Sequence, residues 1–387
     1  MNIRQIFGLL AAIACAGSVQ AQRVGWEADF KTRFDNREFT GSSCNESQTI
    51  FLADLSTAVS YNWLDRNTLR FGVQMQKDFG DNRDYFSEVR PLASYAYRAE
   101  RLGADVGIFS RDELRGDYSH AFFNDSLRVY DPTIQGMAVR YRNPKELRAE
   151  LVLNWEGMYS EYSREKFRIF GAIHKDWSRE ADKRWYVGGG LSMFHFANSA
   201  LTEGNVVDNM LANPYVGFAS KAAEVVHRNA DGRPTVERPF WYDFRAGFLW
   251  APQRDRIADE GWKAPMGGEL RVRLGWKGLE FENNLYVGEN LMPLFGRYGS
   301  ELYAGERWYG TRDRIYNRTR LGYERSFASE TIRVQAGMIF HTDGTGLYTQ
   351  QVVQVSVRLL IARIPPASTA LKISSINCNF TVEPQTF

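Results

Sequence analysis

The chain has 387 residues, 48 basic and 46 acidic side chains and a formal net charge of +2. That near-balance, with no long basic run, argues against a nucleic-acid partner. Aromatics make up 14% of the residues, yet the mean hydropathy is negative. The mixture suits a wall that is apolar on one side and wet on the other better than one compact core.

Residues 1–21 read as a secretory signal peptide. Arg4 supplies the positive start, Ile6 to Val19 the short apolar run, and Val19-Gln20-Ala21 the small residues before cleavage. The run is shorter than the ~20 residues a spanning helix needs. Lipidation at Cys15 is the alternative, but Ala12-Ile13-Ala14-Cys15 lacks the leucine expected three residues before the cysteine. No later stretch is apolar enough for a membrane helix.

From Val24 onward the dominant signal is a period of two. Val24, Trp26, Ala28, Phe30, Thr32 and Phe34 face one way, and Glu27, Asp29, Lys31 and Arg33 the other. Successive β side chains alternate in this manner. The pattern returns at Phe51–Trp63, Leu69–Met75, Leu147–Trp155, Tyr242–Trp250, Ile332–Phe340 and Val353–Leu359. About sixteen such segments fall between Val24 and Leu360, with fourteen as the alternative, each fitting the ~9–11 residues of a tilted transmembrane strand. The weakest are 104–110 and 213–221.

The connections alternate in length. Asp65-Arg66-Asn67, Asn143-Pro144, Lys277-Gly278 and Ser326-Phe327-Ala328-Ser329 are tight turns, and between them lie long polar loops near 35–47, 111–131, 197–212, 251–266 and 289–312. Short periplasmic turns and long extracellular loops are the pattern of bacterial barrels. Segment 222–239 departs from it, being long where a short turn is due. A two-residue Lys277-Gly278 hairpin predicts Trp276 opposite Leu279, Leu274 opposite Phe281 and Arg273 opposite Glu282. A three-residue Asp65-Arg66-Asn67 turn predicts Trp63 beside Leu69 and Tyr61 beside Phe71, with Asn67 left-handed.

The two faces also differ in charge. Arg70, Arg90, Arg140, Arg148, Glu150, Arg168, Arg245, Arg271, Arg273, Glu280, Glu282, Arg318, Arg320, Glu324, Arg333 and Arg358 fall opposite the apolar face. Only Lys77 and Lys175 fall on the apolar face, near strand ends where a long stem can snorkel. A mid-depth charge toward lipid costs ~2–4 kcal/mol, so this segregation is what hydrocarbon would impose. Trp26, Trp63, Trp155, Trp177, Trp185, Trp250 and Trp276 lie mostly near strand ends, as interfacial girdles require. The expected fold is therefore all-β: a closed antiparallel transmembrane β-barrel over 22–360, with both termini in the periplasm. The remaining 361–387 reads as a poorly ordered periplasmic tail, and a last strand over Leu371–Phe387 is the alternative. Cys44, in an external loop, and Cys378, in the periplasm, cannot pair in this topology.

Three segments carry a family resemblance: Gly116-Asp117-Tyr118 with Phe122-Phe123-Asn124-Asp125-Ser126, then Asp208 to Tyr215, then Met292 to Tyr303. They resemble an outer-membrane barrel family of Bacteroidota-type Gram-negative bacteria. The resemblance covers most of 22–360 and implies fold and outer-membrane location; it carries no assigned activity.

Chemistry is thinner. Of five histidines, His120 sits with Ser119, Asp117 and Asp125 in one loop, but adjacency alone does not build a triad. Asp81 and Asp84, or the acids of 111–131, contain oxygen ligands for calcium without a diagnostic spacing. No catalytic residue, metal or cofactor is assigned. Arg271, Arg273, Glu280, Glu282, Arg318, Arg320, Glu324, Arg333 and Arg358 are the candidate lumen charges, set either to select anionic permeants or, with Glu269, to brace the wall. Tyr298, Glu301, Tyr303, Trp308 and Tyr309 are the candidate constriction or ligand contacts, suited to stacking on a sugar. The expected function is a porin-like channel for small polar or anionic solutes or saccharides. A non-conducting structural or adhesive barrel is the alternative, and a barrel enzyme acting on lipid or polysaccharide the third reading. Expected partners are outer-membrane lipid and lipopolysaccharide, the barrel-assembly machinery, and small polar solutes or glycans.

Overall fold

The computed structural model describes residues 23–143, 147–177, 183–199, 206–220, 225–228, 234–237, 240–258, 260–327 and 331–364. The signal segment and Leu371–Phe387 lie outside them. Sixteen long strands make the wall: β1 (Arg23–Glu38), β2 (Gln48–Trp63), β3 (Asn67–Asp78), β4 (Glu88–Arg98), β5 (Leu102–Ser110), β6 (Thr133–Asn143), β7 (Leu147–Gly157), β8 (Lys166–Asp176), β9 (Lys183–Phe196), β10 (Val207–Ser220), β11 (Trp241–Trp250), β12 (Met266–Trp276), β13 (Leu279–Gly288), β14 (Ile315–Phe327), β15 (Ile332–Thr342) and β16 (Leu347–Ile364). Each pairs antiparallel with the next, and β16 pairs with β1 from Glu38↔Thr349 to Val24↔Ile364. The sheet closes, so no edge is left for hydrocarbon to desolvate. The last strand runs to Ile364.

At Lys277 and Gly278 the φ angles are 49° and 88°, the left-handed pair that matches strand twist in a two-residue hairpin. The resulting register is Trp276↔Leu279, Leu274↔Phe281 and Arg273↔Glu282, as the turn predicts. The β2–β3 turn differs from its expectation. Leu64 and Asp65 take the positive φ values, 52° and 51°, and Asn67 already pairs with Trp63, so Tyr61 faces Leu69 and Val59 faces Phe71. The turn starts one residue earlier than read, and the register moves by two. Because the side-chain period is two, every residue keeps its face.

Another correction concerns 197–212, read as a loop. Strand β10 begins at Val207 and carries Asp208–Tyr215 into the wall. Pro214 lacks the N–H for a ladder bond, and the neighbouring Asn213 Nδ2 donates to Phe248 O at 3.1 Å. Within 222–239, Val225–Arg228 pairs with Pro234–Glu237 as a separate small hairpin.

The outward face carries exposed apolar side chains around the ring, among them Phe30, Phe71, Leu151, Ile173, Leu191, Phe244, Leu270, Leu321 and Val353. Trp26, Trp177, Trp185 and Trp276 border the short-turn end, and Trp155 and Trp250 the long-loop end. The largest buried cluster lies inside the ring, in the half nearer the long loops, and a small one of Tyr186, Tyr215 and Ala219 lies nearer the short turns. Phe39, Phe122, Phe194, Phe196, Tyr286, Leu302, Trp308 and Tyr316 belong to the largest cluster.

Candidate functional site: loops and ion pairs in the lumen

The lumen has two halves. Toward the short turns the inward charges of β12, β15 and β16 meet water, the Arg358, Arg333 and Arg273 side chains being 55%, 46% and 36% exposed, whereas Arg140 of β6 is largely buried with Asp105 and Glu150. The wet charges sit in wall pairs, Arg358 with Asp29 at 2.8 Å and Arg320 with Glu280 at 3.1 Å. Arg273 Nε lies 3.5 Å from Glu282 and Arg333 Nε 3.7 Å from Glu324. One or two inward positions further along, exposure collapses. The Arg318 side chain is 3% exposed, and those of Arg245 and Glu269 are each 1%.

What covers them is the chain's own loops. Loop 111–131 docks through its backbone first: Arg115 and Gly116 N–H donate to the Glu150 carboxylate, and so does the Tyr118 hydroxyl. Its carboxylates then reach the wall. Asp117 takes Arg271 as a fork, at 2.7 and 2.8 Å, and Asp125 accepts from Arg318 at 3.1 Å. Two-point geometry of this kind is the strong form of the guanidinium–carboxylate contact. Loop 289–314 adds a turn of helix at Phe295–Tyr298 and two short 3₁₀ turns. It joins the first loop where Glu306 N–H donates to His120 O and Asn124 N–H to Ala304 O.

Burial alone would raise the Asp117 pKa, but the guanidiniums of Arg271 and Arg245 outweigh it and hold the carboxyl well below its ordinary range. Glu306 is pushed the other way. Desolvation, then the charge of Asp125, raise its pKa against the opposing pull of Arg318.

The candidate loop residues separate. Trp308 stacks on His341 and Tyr316, with centroids 5.2 and 6.0 Å apart, and Phe39 meets it edge-on. Tyr309 donates to Glu269 at 2.7 Å, and Tyr303 to Gln253. Their rings are spent on the protein itself. Tyr298, half-buried, bonds Asp255 near the outer mouth, and Glu301 is exposed. Of the candidate lumen charges, Arg271, Glu282 and Arg318 meet at the loops. Arg273, which reaches Glu282 from the wet side, lines the open half with Glu280, Arg320, Glu324, Arg333 and Arg358.

The pairing of Ser119 with His120 is not assembled. Ser119 Oγ donates to Glu269 at 2.6 Å, while His120 Nε2 lies 3.1 Å from Glu282. Asp81 is held by Arg83, and Lys77 bonds the Asp81 and Asp84 carbonyls. Among the described residues no group of three or more His, Cys, Asp or Glu side chains could hold a metal.

Sequence reasoning offered 289–312 as a constriction but missed that loop 111–131 folds inward with it. A signal existed: on the wet face, Phe194, Phe196, Leu249, Tyr286, Tyr316 and Tyr348 sit at the outer ends of strands whose other inward residues are mostly small or polar. Bulky side chains on a wet face need a cover. The three segments of family resemblance converge at that cover. Asn209 Nδ2 donates to Leu302 O at 3.0 Å, and Ala121, Phe122, Met292 and Tyr303 share the same cluster. A pocket of about 30 Å³ between Phe122, Arg168, Asn209 and Leu302 holds no more than a water or two.

Residues 20–359 match the model of the family described as lipid A 3'-O-deacylase-type. The chain belongs to this family. Membership and the closed barrel place it in the outer membrane, with the apolar ring against lipid. Solved structures that it resembles include OpdL of Pseudomonas aeruginosa, 11% identical, covering 88% of this chain and 99% of that one at TM-score 0.44. OccAB4 of Acinetobacter baumannii is 9% identical, covering 89% and 100% at TM-score 0.42. No curated protein matches the chain.

Proposed function

We propose that the protein is an outer-membrane channel for small polar or anionic solutes or saccharides, shut at rest by loops 111–131 and 289–312. The observation that carries this reading is the split lumen. Its inner half is wet along β12–β16, where exposed guanidiniums, paired with wall carboxylates, offer donors to an anion. Its outer half is closed by loop carboxylates on wall arginines, contacts that water or a solute can replace, unlike the wall's backbone ladder. Lipopolysaccharide would face the outer rim, and the assembly machinery would act on the final strand.

The same cover favours a second reading, a barrel that never conducts. The family's description suggests a third, cleavage of an acyl ester of lipid A. An acyl hydrolase needs a nucleophile touching its base, and here Ser119 and His120 engage different carboxylates. Planar-bilayer recording tests the channel. Folded wild type should give brief or small current steps, lengthened in Asp117→Asn/Asp125→Asn. Silence from both would overturn the channel. Loss of one acyl chain from lipid A in expressing cells, abolished by Ser119→Ala, would establish the hydrolase instead.

A further inference from the structure

Arg245 and Arg271 stand directly opposite each other on β11 and β12. Like charges facing across two strands repel, and both side chains are nearly fully buried. Such a pair persists only with an anion between them. The wall supplies part of that charge. Glu269 lies 3.4 Å from Arg245 Nη2, but its other oxygen is taken by Ser119 and Tyr309. Asp243 lies 3.9 Å from Arg271 and accepts from the Tyr186 hydroxyl.

The close partner of Arg271 comes from the loop. Asp117 places both oxygens on the two terminal nitrogens of Arg271, and Oδ1 lies 3.3 Å from Arg245 Nη1. Even so, Arg271 Nε has no hydrogen-bond partner among the described residues. Asp117 itself is 35% exposed, so water reaches its carboxylate. The Arg245 guanidinium also lies over the Tyr215 ring at 4.4 Å, which fixes its plane.

We infer that Arg245 and Arg271 form a binding site for a compact oxyanion, a carboxylate or a phosphate, which Asp117 occupies as a tethered stand-in. An anion arriving through the wet half takes the same fork and releases loop 111–131 from the wall. The site deepens the channel reading and rests on it for its purpose. Its existence is tested without any current.

Inorganic phosphate is titrated into the full-length barrel, folded in detergent, by calorimetry, with acetate and ionic-strength-matched chloride as the other arms. A tethered carboxylate competes at an effective concentration in the millimolar range, so Asp117→Asn should bind phosphate about tenfold more tightly than wild type. Asp117→Asn/Arg271→Gln should lose the gain. Equal binding by Asp117→Asn and wild type overturns the site, as does a double variant that binds as well as Asp117→Asn. Acetate matching phosphate assigns any two-oxygen anion, and phosphate alone assigns a phosphoryl group. If Asp117→Asn does not fold, amide exchange in wild type decides. Exchange over Arg115–Tyr118 should rise in phosphate relative to chloride, and no change overturns the proposal. Phosphate binding without bilayer current would remove the channel and leave the site.

Discussion

Arg271 and Arg273 sit two residues apart on one strand and point into the same lumen, yet they live in different solvents. Arg271 is buried and forked by a loop carboxylate. Arg273 is over a third exposed, 3.5 Å from Glu282 and lying over the Trp241 ring. The difference teaches that the boundary in this barrel lies across the lumen as well as around the wall. Arg273, Arg320, Arg333 and Arg358 of the inner half are paired in water, where ion pairs contribute little. Arg245, Arg271 and Arg318 of the outer half are buried, where losing one partner strands the other.

The largest expected effect follows from that contrast. Arg271→Ala leaves Asp117 facing Arg245 alone, and should lower the unfolding free energy in guanidinium by about 3–5 kcal/mol. Arg273→Ala should cost ~1 kcal/mol or less. Equal losses would erase the boundary. One residue before, Leu270 points into lipid, and Leu270→Arg should cost about 2–4 kcal/mol in the same measurement. A neutral result would place that face in water.

Ion flow gives a finer test. Arg318 is buried under Asp125, while Arg320 lies in the wet half with Glu280. Under the channel reading, Arg318→Ala should raise open probability in planar bilayers, and Arg320→Ala should only weaken anion preference. If Arg320→Ala gates and Arg318→Ala does not, the halves have been assigned the wrong way round.

The smallest effect is in pH. The Glu306 pKa is raised by desolvation and by Asp125, against Arg318 and His120. A carboxyl with a raised native pKa binds more protons in the docked state, so its contribution weakens as pH rises through that value. Asp117 has the opposite sign: its contribution is present above the ordinary carboxylate range and fades only in strong acid. Relative to the intrinsic base-catalysed rate, amide exchange in 289–312 should therefore increase as pH rises through the raised Glu306 value in wild type. Glu306→Gln should flatten that rise, and an unchanged slope would remove Glu306 from the account.

How much of this the sequence carries depends on the range of the interactions. Wall residues announce themselves by a period of two, because hydrocarbon and water act on every strand alike. Trp276 opposite Leu279 follows from two turn residues. The β2–β3 register slipped by two because Leu64 gives no outward sign of a positive φ. Asp208–Tyr215 was shortened as a strand because Asn209, Asn213 and Pro214 are poor strand residues, and here the wall and a side-chain bond from Asn213 override them. Arg271 and Arg318 were legible as inward charges. Their partners Asp117 and Asp125 were legible only as acids in a long loop, since 154 and 193 residues separate the pairs and no local pattern encodes them. Trp308, expected to offer its ring to a sugar, offers it to His341 and Tyr316 instead.

Thiol reactivity along β15 tests the divided lumen most directly. In a background with Cys44→Ser and Cys378→Ser, single cysteines replace Gln335, in the wet half, and Ile339, which is 2% exposed under the loops. With a charged maleimide supplied separately to each face of reconstituted membranes, Gln335→Cys should react rapidly from the periplasmic face only, and Ile339→Cys slowly from both. Rapid labelling of Ile339→Cys from the outer face would mean that the loops do not close the barrel.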